Sequence, residues 1–436
     1  MKEKNQWIKK LKNGFFDTDL HLYKIRDILS ECKITIERNS EMDLLANEIQ
    51  GMIANSSWIR KMFEQGIELK KKYGNDNVYD FSLGNPDLPS PATVGNALKK
   101  MAENAAESFT FGYMPNAGYP EVRAALAAKI SQEQGVSIPA DRVLVTCGAA
   151  GAINVLFRAV LNPGDEVLCN APYFVEYGFY VGNFGGVLKP VKSKADFSPD
   201  PAAIEAAITE KTRAFIINSP NNPTGVIYSK EDVKAVADVL KKKSAEYGRT
   251  IYLISDEPYR FLNFDNLEIP SVFSLYDASI VIGSFSKSLS LAGERIGYAA
   301  VNPALENGAS LLAGMIMTNR ILGFVNAPAI GQKLLLSCLD SQADLNIYRQ
   351  RRDLMAKVLD DAGIEYVLPR GAFYFFPKSP LENDTDFINV LVNERILAVP
   401  GRGFGLPGYF RLAFCVSENT IRNSAESFKR AMAAVK

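Results

Sequence analysis

Ser284-Phe-Ser-Lys-Ser-Leu-Ser-Leu-Ala-Gly-Glu-Arg-Ile-Gly-Tyr298 places one lysine, Lys287, in a run of serines, with Arg295 eight residues further on. The apolar stretch 279–283 leads into it and the stretch 295–301 leads out, both with the pattern of buried strands. A free lysine has a pKa of about 10.4, so only about one in a thousand or fewer is neutral at pH 7. To attack a carbonyl the side chain must lose its proton, and burial or a neighbouring cation lowers the pKa. Arg295 could be that cation, or it could hold a ligand anion. Taken alone, the stretch is better read as a solvated loop; the rest of the chain reverses that reading.

Outward from the lysine, short apolar runs alternate with helical patterns. Residues 142–146, 166–170, 187–191, 213–218, 251–255, 279–283 and 295–301 read as strands, with helices over 149–161 and 230–247 among them. Such alternation predicts an α/β fold: a mostly parallel sheet with helices on both faces. Ligands of these sheets gather beyond the carboxyl ends of the strands. Distinctive residues stand at five of these ends: Thr146-Cys-Gly-Ala-Ala-Gly151, Ala171-Pro-Tyr-Phe174, Asn218-Ser-Pro-Asn-Asn-Pro-Thr-Gly225, Asp256-Glu-Pro-Tyr259, then the lysine stretch. The small residues at 147–151 suit a phosphate seated on a helix N-terminus, or equally the close packing of a helix on a sheet.

Composition narrows the chemistry. The chain has 436 residues, 47% of them hydrophobic, enough for a large core and two domains. Lys+Arg and Asp+Glu both number 49, so charge points to neither nucleic acid nor an anionic membrane. Cys32, Cys147, Cys169, Cys338 and Cys415 are scattered without metal-ligand spacing, which fits a reducing, cytoplasmic compartment. The one histidine, His21, leaves none for a Ser-His-Asp triad in the core or a multi-histidine metal site. Acid–base work therefore falls to Lys, Tyr, Asp, Glu or Cys. No apolar run is long enough to span a bilayer, and the basic N-terminus lacks a signal peptide's apolar core.

Elsewhere, Ser57 could cap a helix carrying Ile59, Met62, Phe63 and Ile67. The loop Phe81-Ser-Leu-Gly-Asn-Pro-Asp-Leu-Pro-Ser-Pro91 contains Gly84, which permits close approach of a ligand to the backbone. Tyr113 precedes a helix whose first turn holds Pro120 and whose core face holds Val122, Leu126 and Ile130. Residues 333–359 read as one long helix. Arg411 sits inside the apolar run Phe410-Arg-Leu-Ala-Phe414, where a structural ion pair is the ordinary explanation.

Taken in order, these motifs resemble the fold-type I pyridoxal-phosphate enzymes of the class I/II aminotransferase group. The resemblance runs from near residue 55 to the C-terminus and rests on the Asn-Pro run, Asp-x-x-Tyr, Ser-x-x-Lys, the following arginine, the strand stretch 370–376 and the glycine-rich loop 399–405. It implies a seven-stranded large domain over 91–330, and a smaller α+β domain built from 331–436 and part of a 42–90 arm, with 1–41 an extension outside both. It implies pyridoxal 5'-phosphate, carried by Lys287, which then moves a proton between the substrate α-carbon and the cofactor. Asp256 is expected to pair with the pyridine nitrogen, Tyr259 and Asn222 to bond the ring oxygen, and Phe174 to stack on the ring. Ser284, Ser286, Arg295 and the backbone of Ala149 and Ala150 are expected to hold the phosphate, with Tyr113 reaching the phosphate in a neighbouring subunit. Arg411 is expected to grip the substrate α-carboxylate, near Gly84 and Asn222, because a guanidinium matches a carboxylate bidentately. Cis bonds are expected before Pro172 and Pro223.

The function so implied is a homodimeric, cytoplasmic transaminase moving an amino group from an L-amino acid to a 2-oxo acid by a ping-pong route. A carbon–sulfur β-lyase on the same fold and a non-enzymatic regulator are the alternatives. Aspartate-specific relatives of one type carry a lysine where this chain has Ala150; Arg320, in 317–320, is a candidate for reading a dicarboxylate from a neighbouring subunit, or a surface arginine. Residues 1–41 are expected to be dispensable, with Met42 an alternative start; the competing view is that Leu22, Ile25, Ile28 and Leu29 form a docked helix.

Overall fold

The computed structural model describes residues 44–54 and 58–435, as two separate units divided between Ser57 and Trp58. The first contributes one helix, Asn47–Ala54. The expectations for residues 1–41 and for Ser57 as a cap lie outside the described residues.

From Trp58 onward the chain is organised by a seven-stranded sheet. Its strands are β1 Val143–Thr146, β2 Glu166–Ala171, β3 Val187–Lys192, β4 Thr212–Asn218, β5 Tyr252–Asp256, β6 Ser279–Ser284 and β7 Gly297–Val301. The spatial order is β1-β7-β6-β5-β4-β2-β3. Only β7 runs antiparallel to its neighbours. The seven apolar runs of the sequence are these strands, with ends differing by a residue or two. Strands β1 and β5 are buried at every position, which explains why Val143–Val145 and Tyr252–Ile254 are apolar without alternation. Each aliphatic side chain so buried contributes about 1.5–3 kcal/mol.

The helices that bear on the site are α1 Pro120–Gln134, α2 Gly148–Val160, α3 Glu176–Gly182, α4 Lys230–Tyr247, α5 Phe285–Ser288, α6 Gly308–Ile321, α7 Ala329–Cys338 and α8 Leu345–Ala362. Pro120 is the first residue of α1, which buries Val122, Leu126 and Ile130. Helix α4 starts at a capping box formed by Ser229 and Asp232.

Two expectations are corrected. The helix read over 333–359 is two helices, α7 and α8, with 339–344 between them. Asp344 accepts a bond from the Asn346 amide and so starts α8 afresh, while the Ala343 amide donates to the Ser288 carbonyl at 2.7 Å. In the helix Trp58–Tyr73, Met62 is buried but Ile67 is 52% exposed. Five residues apart, with about 3.6 per turn, the two lie on different faces.

A second hydrophobic core lies beside the first. It joins Met62, Tyr79 and Phe81 to residues from Ala343 to Met432. Its short strands are β8 Tyr374–Phe375, β9 Val399–Pro400 and β10 Phe410–Ala413, antiparallel in the order β9-β10-β8. A further two-residue strand, Tyr79–Asp80, pairs in parallel with Ile396–Leu397. Tyr259, Leu262 and Phe264, from the segment after β5, are buried in this second core. No helix of the described residues is long and apolar enough to cross a membrane.

Candidate active site

Parallel strands bring all their carboxyl ends to one edge of the sheet, so residues far apart in sequence meet there. Ala149 and Ala150 follow β1, Phe174 follows β2, and Asn222 follows β4. Asp256 ends β5, and Lys287 follows β6. Because β7 runs the other way, its start, next to Arg295, comes to the same edge. These residues, with Gly84, Tyr259, Ser284, Ser286 and Arg411, line one cavity of about 360 Å³. Of the residues singled out by sequence, Tyr113 and Arg320 are not part of this cavity. Both are exposed, Tyr113 by 93%.

The loops that aim these groups are held by their own polar side chains. Asn218 donates to the Asp256 carbonyl at 2.8 Å and accepts the Asn222 amide at 2.7 Å, which ties the ends of β4 and β5 together. The bonds before Pro172 and Pro223 are cis, as expected, and so is Ser219–Pro220.

Lys287 is largely buried on the four-residue helix α5. Its Nζ donates to the Gly84 carbonyl at 2.7 Å and lies 5.5 Å from the Phe373 ring centroid. Burial brings its ammonium down to about 8, and the Arg411 and Arg295 guanidiniums push the same way against an opposing influence from Cys415. The solvated-loop reading of this lysine does not hold.

Asp256 is 4% exposed. The Tyr177 hydroxyl donates to its Oδ2 at 2.5 Å, while its Oδ1 is buried with no partner among the described residues. Burial raises this carboxyl to about 7; the Tyr177 bond lowers it and the neighbouring Glu257 raises it. A buried carboxylate oxygen without a partner requires a donor or a cation.

Arg411 is 2% exposed, and no described carboxylate pairs with it, so it is not a structural ion pair. Its Nη2 donates to the Ser82 carbonyl at 2.6 Å and its Nη1 to Asn222 Oδ1 at 3.1 Å, leaving Nε unpartnered. The rings of Tyr374 and Phe404 flank it at 4.8 and 4.7 Å. A caged, unpaired guanidinium is suited to an anion.

A second group of residues of this cavity is also suited to an anion. Helix α2 has thirteen residues, and the Cys147 side chain makes no capping bond to it, so its first-turn amides are open to a ligand. Gly148 has φ of 71°, and a Cβ there would lie 2.7 Å from Arg295 Nη2. Arg295 has φ of 51°, a left-handed conformation that non-glycine residues adopt at a cost. Phe174 also lines the cavity and meets Tyr177 edge-on at 5.5 Å. A flat aromatic group with a protonated ring nitrogen at the accepting Asp256 Oδ1 and an anion at Arg295 and α2 fits this set.

Sequence reasoning missed the partners. Tyr177 reaches Asp256 from a helix that has no motif of its own. The Tyr374 hydroxyl is 2.8 Å from that of Tyr259; it lies in the noticed stretch 370–376, but no role was assigned to it. Glu176 and Tyr180 also line the cavity and carry no sequence signal beyond closeness to Phe174.

Comparison with known proteins places the chain in a family. The profile of the family described as "Aminotransferase class I and II" matches residues 76–428. The aspartate/prephenate aminotransferase of Thermus thermophilus is 33% identical over 384 residues, spanning 84% of this chain and 94% of that protein. The aspartate aminotransferase of Thermotoga maritima is 31% identical over 352 residues, 79% of this chain and 89% of that one. Among solved structures, an amino transferase of Eubacterium rectale superposes with a TM-score of 0.87 at 38% identity, covering 90% of this chain and 99% of that chain. The Thermus thermophilus aspartate aminotransferase with maleate superposes at 0.79 with 30% identity, covering 89% and 99%.

Proposed function

This chain belongs to the class I and II aminotransferases, pyridoxal-phosphate-dependent transaminases of amino acids, and from that premise we propose how its own residues divide the work. Pyridoxal phosphate, when bound, supplies an electrophilic carbonyl carbon and an electron sink for the charge left at the substrate α-carbon. Lys287 carries the cofactor and is the base that takes and returns the proton at that carbon. Asp256 Oδ1 faces the ring nitrogen, and its charge favours the protonated ring. Tyr259 and Asn222 hold the ring oxygen, Phe174 covers the ring face, and Ser284, Ser286, Arg295 and the amides of Ala149 and Ala150 hold the phosphate. Arg411, near Gly84 and Asn222, binds the α-carboxylate. The amino group of one amino acid is left on the enzyme and taken by a 2-oxo acid, a ping-pong route.

A homodimer with shared sites goes with this reading. Its support is the exposure of Phe109 by 90% and of Tyr113 by 93%, on a loop region tethered to the body of the protein by the Lys333 bond to the Thr110 carbonyl and the Asn319 bond to the Asn116 carbonyl. Tyr113 then serves the neighbouring copy.

The observation that carries the proposal is the meeting of two buried groups with unpartnered atoms, Asp256 and Arg411, around a lysine whose proton is easily lost. The test is a panel of L-amino acids offered to cofactor-loaded protein. The expected result is conversion of the cofactor to its amine form with release of an equal amount of 2-oxo acid and no ammonia. Ammonia release would identify a lyase, and an unchanged spectrum with every donor would end the transaminase reading.

A further inference from the structure

We propose that Glu176 turns the side-chain end of this cavity against a second carboxylate, so that the enzyme favours monocarboxylic donors such as asparagine over dicarboxylic ones such as aspartate. The inference rests on the transaminase reading above. Five fully charged-type side chains line the cavity: Lys287, Arg295, Arg411, Asp256 and Glu176. In that reading Lys287 serves the α-carbon, Arg295 the phosphate, Arg411 the α-carboxylate and Asp256 the ring nitrogen. Glu176 alone has no assignment.

Its surroundings leave it without a counter-charge. No hydrogen bond or ion pair holds Glu176 among the described residues, and burial pushes its carboxyl upward. Ala150, Ile153, Phe174 and Tyr180 line the same cavity and bring no opposite charge to it. Its charge reaches Tyr180, whose phenol is raised by burial first and by Glu176 next. Ala150 brings no cation to the first turn of α2. The far carboxylate of an aspartate held by Arg411 therefore shares the cavity with a carboxylate, and among the described residues no further cation lines that cavity. Like charges brought together in a partly desolvated cavity repel strongly. An amide in the same place donates a hydrogen bond to Glu176 instead. Several relatives are named for aspartate, so this predicts a departure from them in preference.

The experiment compares kcat/KM for L-asparagine and L-aspartate in the loaded wild-type enzyme and in Glu176→Gln. Maleate binding to both is measured by calorimetry, which does not depend on turnover. In the wild type the expected ratio favours asparagine by about tenfold or more, and Glu176→Gln shrinks the ratio and tightens maleate by a similar factor. Glu176→Lys tightens maleate further. A wild type that prefers aspartate, or a Glu176→Gln enzyme whose maleate affinity is within about twofold of wild type, overturns the proposal. The wild-type comparison needs no variant, so poor folding of a mutant does not shelter the idea. Absence of transamination with every donor defeats the transaminase reading, whereas turnover with unaltered discrimination defeats the role of Glu176 alone.

Discussion

The Tyr177 hydroxyl donates to Asp256 Oδ2 at 2.5 Å and leaves Oδ1 as the carboxylate's only unpartnered oxygen. One bond thus fixes which oxygen faces the ligand and holds the charge on it. A hydrogen bond to a charged group is worth about 1.5–3 kcal/mol, so Tyr177→Phe is expected to lower kcat by about ten- to a hundredfold. Because that bond lowers the carboxyl's pKa, its loss moves the acid limb of the pH–rate profile to higher pH. A Tyr177→Phe enzyme with the wild-type acid limb would refute this role.

Lys287 titrates near 8 by burial and by the push of two guanidiniums. Reductive methylation of the cofactor-free protein should therefore modify this lysine with a midpoint near that pH, far below ordinary lysines. Arg411→Met removes one pushing cation and should raise the midpoint. Borohydride reduction of the loaded enzyme should join the cofactor to the peptide containing Lys287, and Lys287→Ala should abolish turnover. Labelling of a different lysine would sink the assignment.

The two titrating groups act on stability in opposite pH windows. Asp256 is raised from 3.8 to about 7 in the fold, so its neutral form is favoured there. Its contribution is fully present below the unfolded pKa and is lost as pH rises through about 7. Lys287 is lowered from 10.5 to about 8, so its contribution is present above 10.5 and is lost as pH falls through about 8. In the cofactor-free protein these two groups are least favourable together between the folded values. The melting temperature of Asp256→Asn minus that of wild type should climb from pH 4 to pH 7 (the span between about 3.8 and 7), measured by calorimetry. A flat difference would show that Asp256 is not buried as described.

Gly84 faces the Tyr374 ring so closely that a Cβ would fall 2.0 Å from its hydroxyl. Gly84→Ala must displace either the Tyr374–Tyr259 pair or the carbonyl that receives Lys287. The fold should survive, since the loop is not part of either sheet, while kcat drops by about a hundredfold, a size typical of ångström-scale misplacement. Wild-type turnover with an unmoved Lys287 titration would contradict the packing.

Arg411→Lys keeps the charge and loses the fork that bonds a carboxylate twice. The expected outcome is a KM for every amino donor raised by about ten- to a hundredfold, with a smaller change in kcat. A change confined to dicarboxylic donors would move Arg411 from the α-carboxylate to the side chain.

The sheet was legible because most of its strands are buried on both faces and read as apolar runs, while β3, at the edge, is largely exposed and carries Lys189 and Lys192. The residues at the carboxyl ends of those strands were legible for the same reason: once the strands are parallel, Ala149, Phe174, Asn222, Asp256 and Lys287 have one edge to share. What escaped was whatever depends on contact across sequence. Tyr177 and Tyr374 look like ordinary core aromatics until a partner hydroxyl or carboxylate comes within reach. The break between α7 and α8 was hidden because 339–344 contains no glycine or proline, and contacts from afar hold it: the Ser288 carbonyl accepts the Ala343 amide and Thr93 bonds Ser341, while Asp344 caps α8.

Tyr259 packs edge-on against Phe373 at 5.5 Å and against Tyr374 at 5.6 Å, inside the second core. A phenol that lines the cavity is thus seated in the same aromatic masonry that surrounds the smaller sheet. Substitutions at Phe373, which touches it, or at Tyr348 behind Phe373, would tilt that phenol although neither residue lines the cavity. In a mutational scan such positions would masquerade as catalytic ones, and sequence drift in this core would be policed by turnover before it was policed by unfolding.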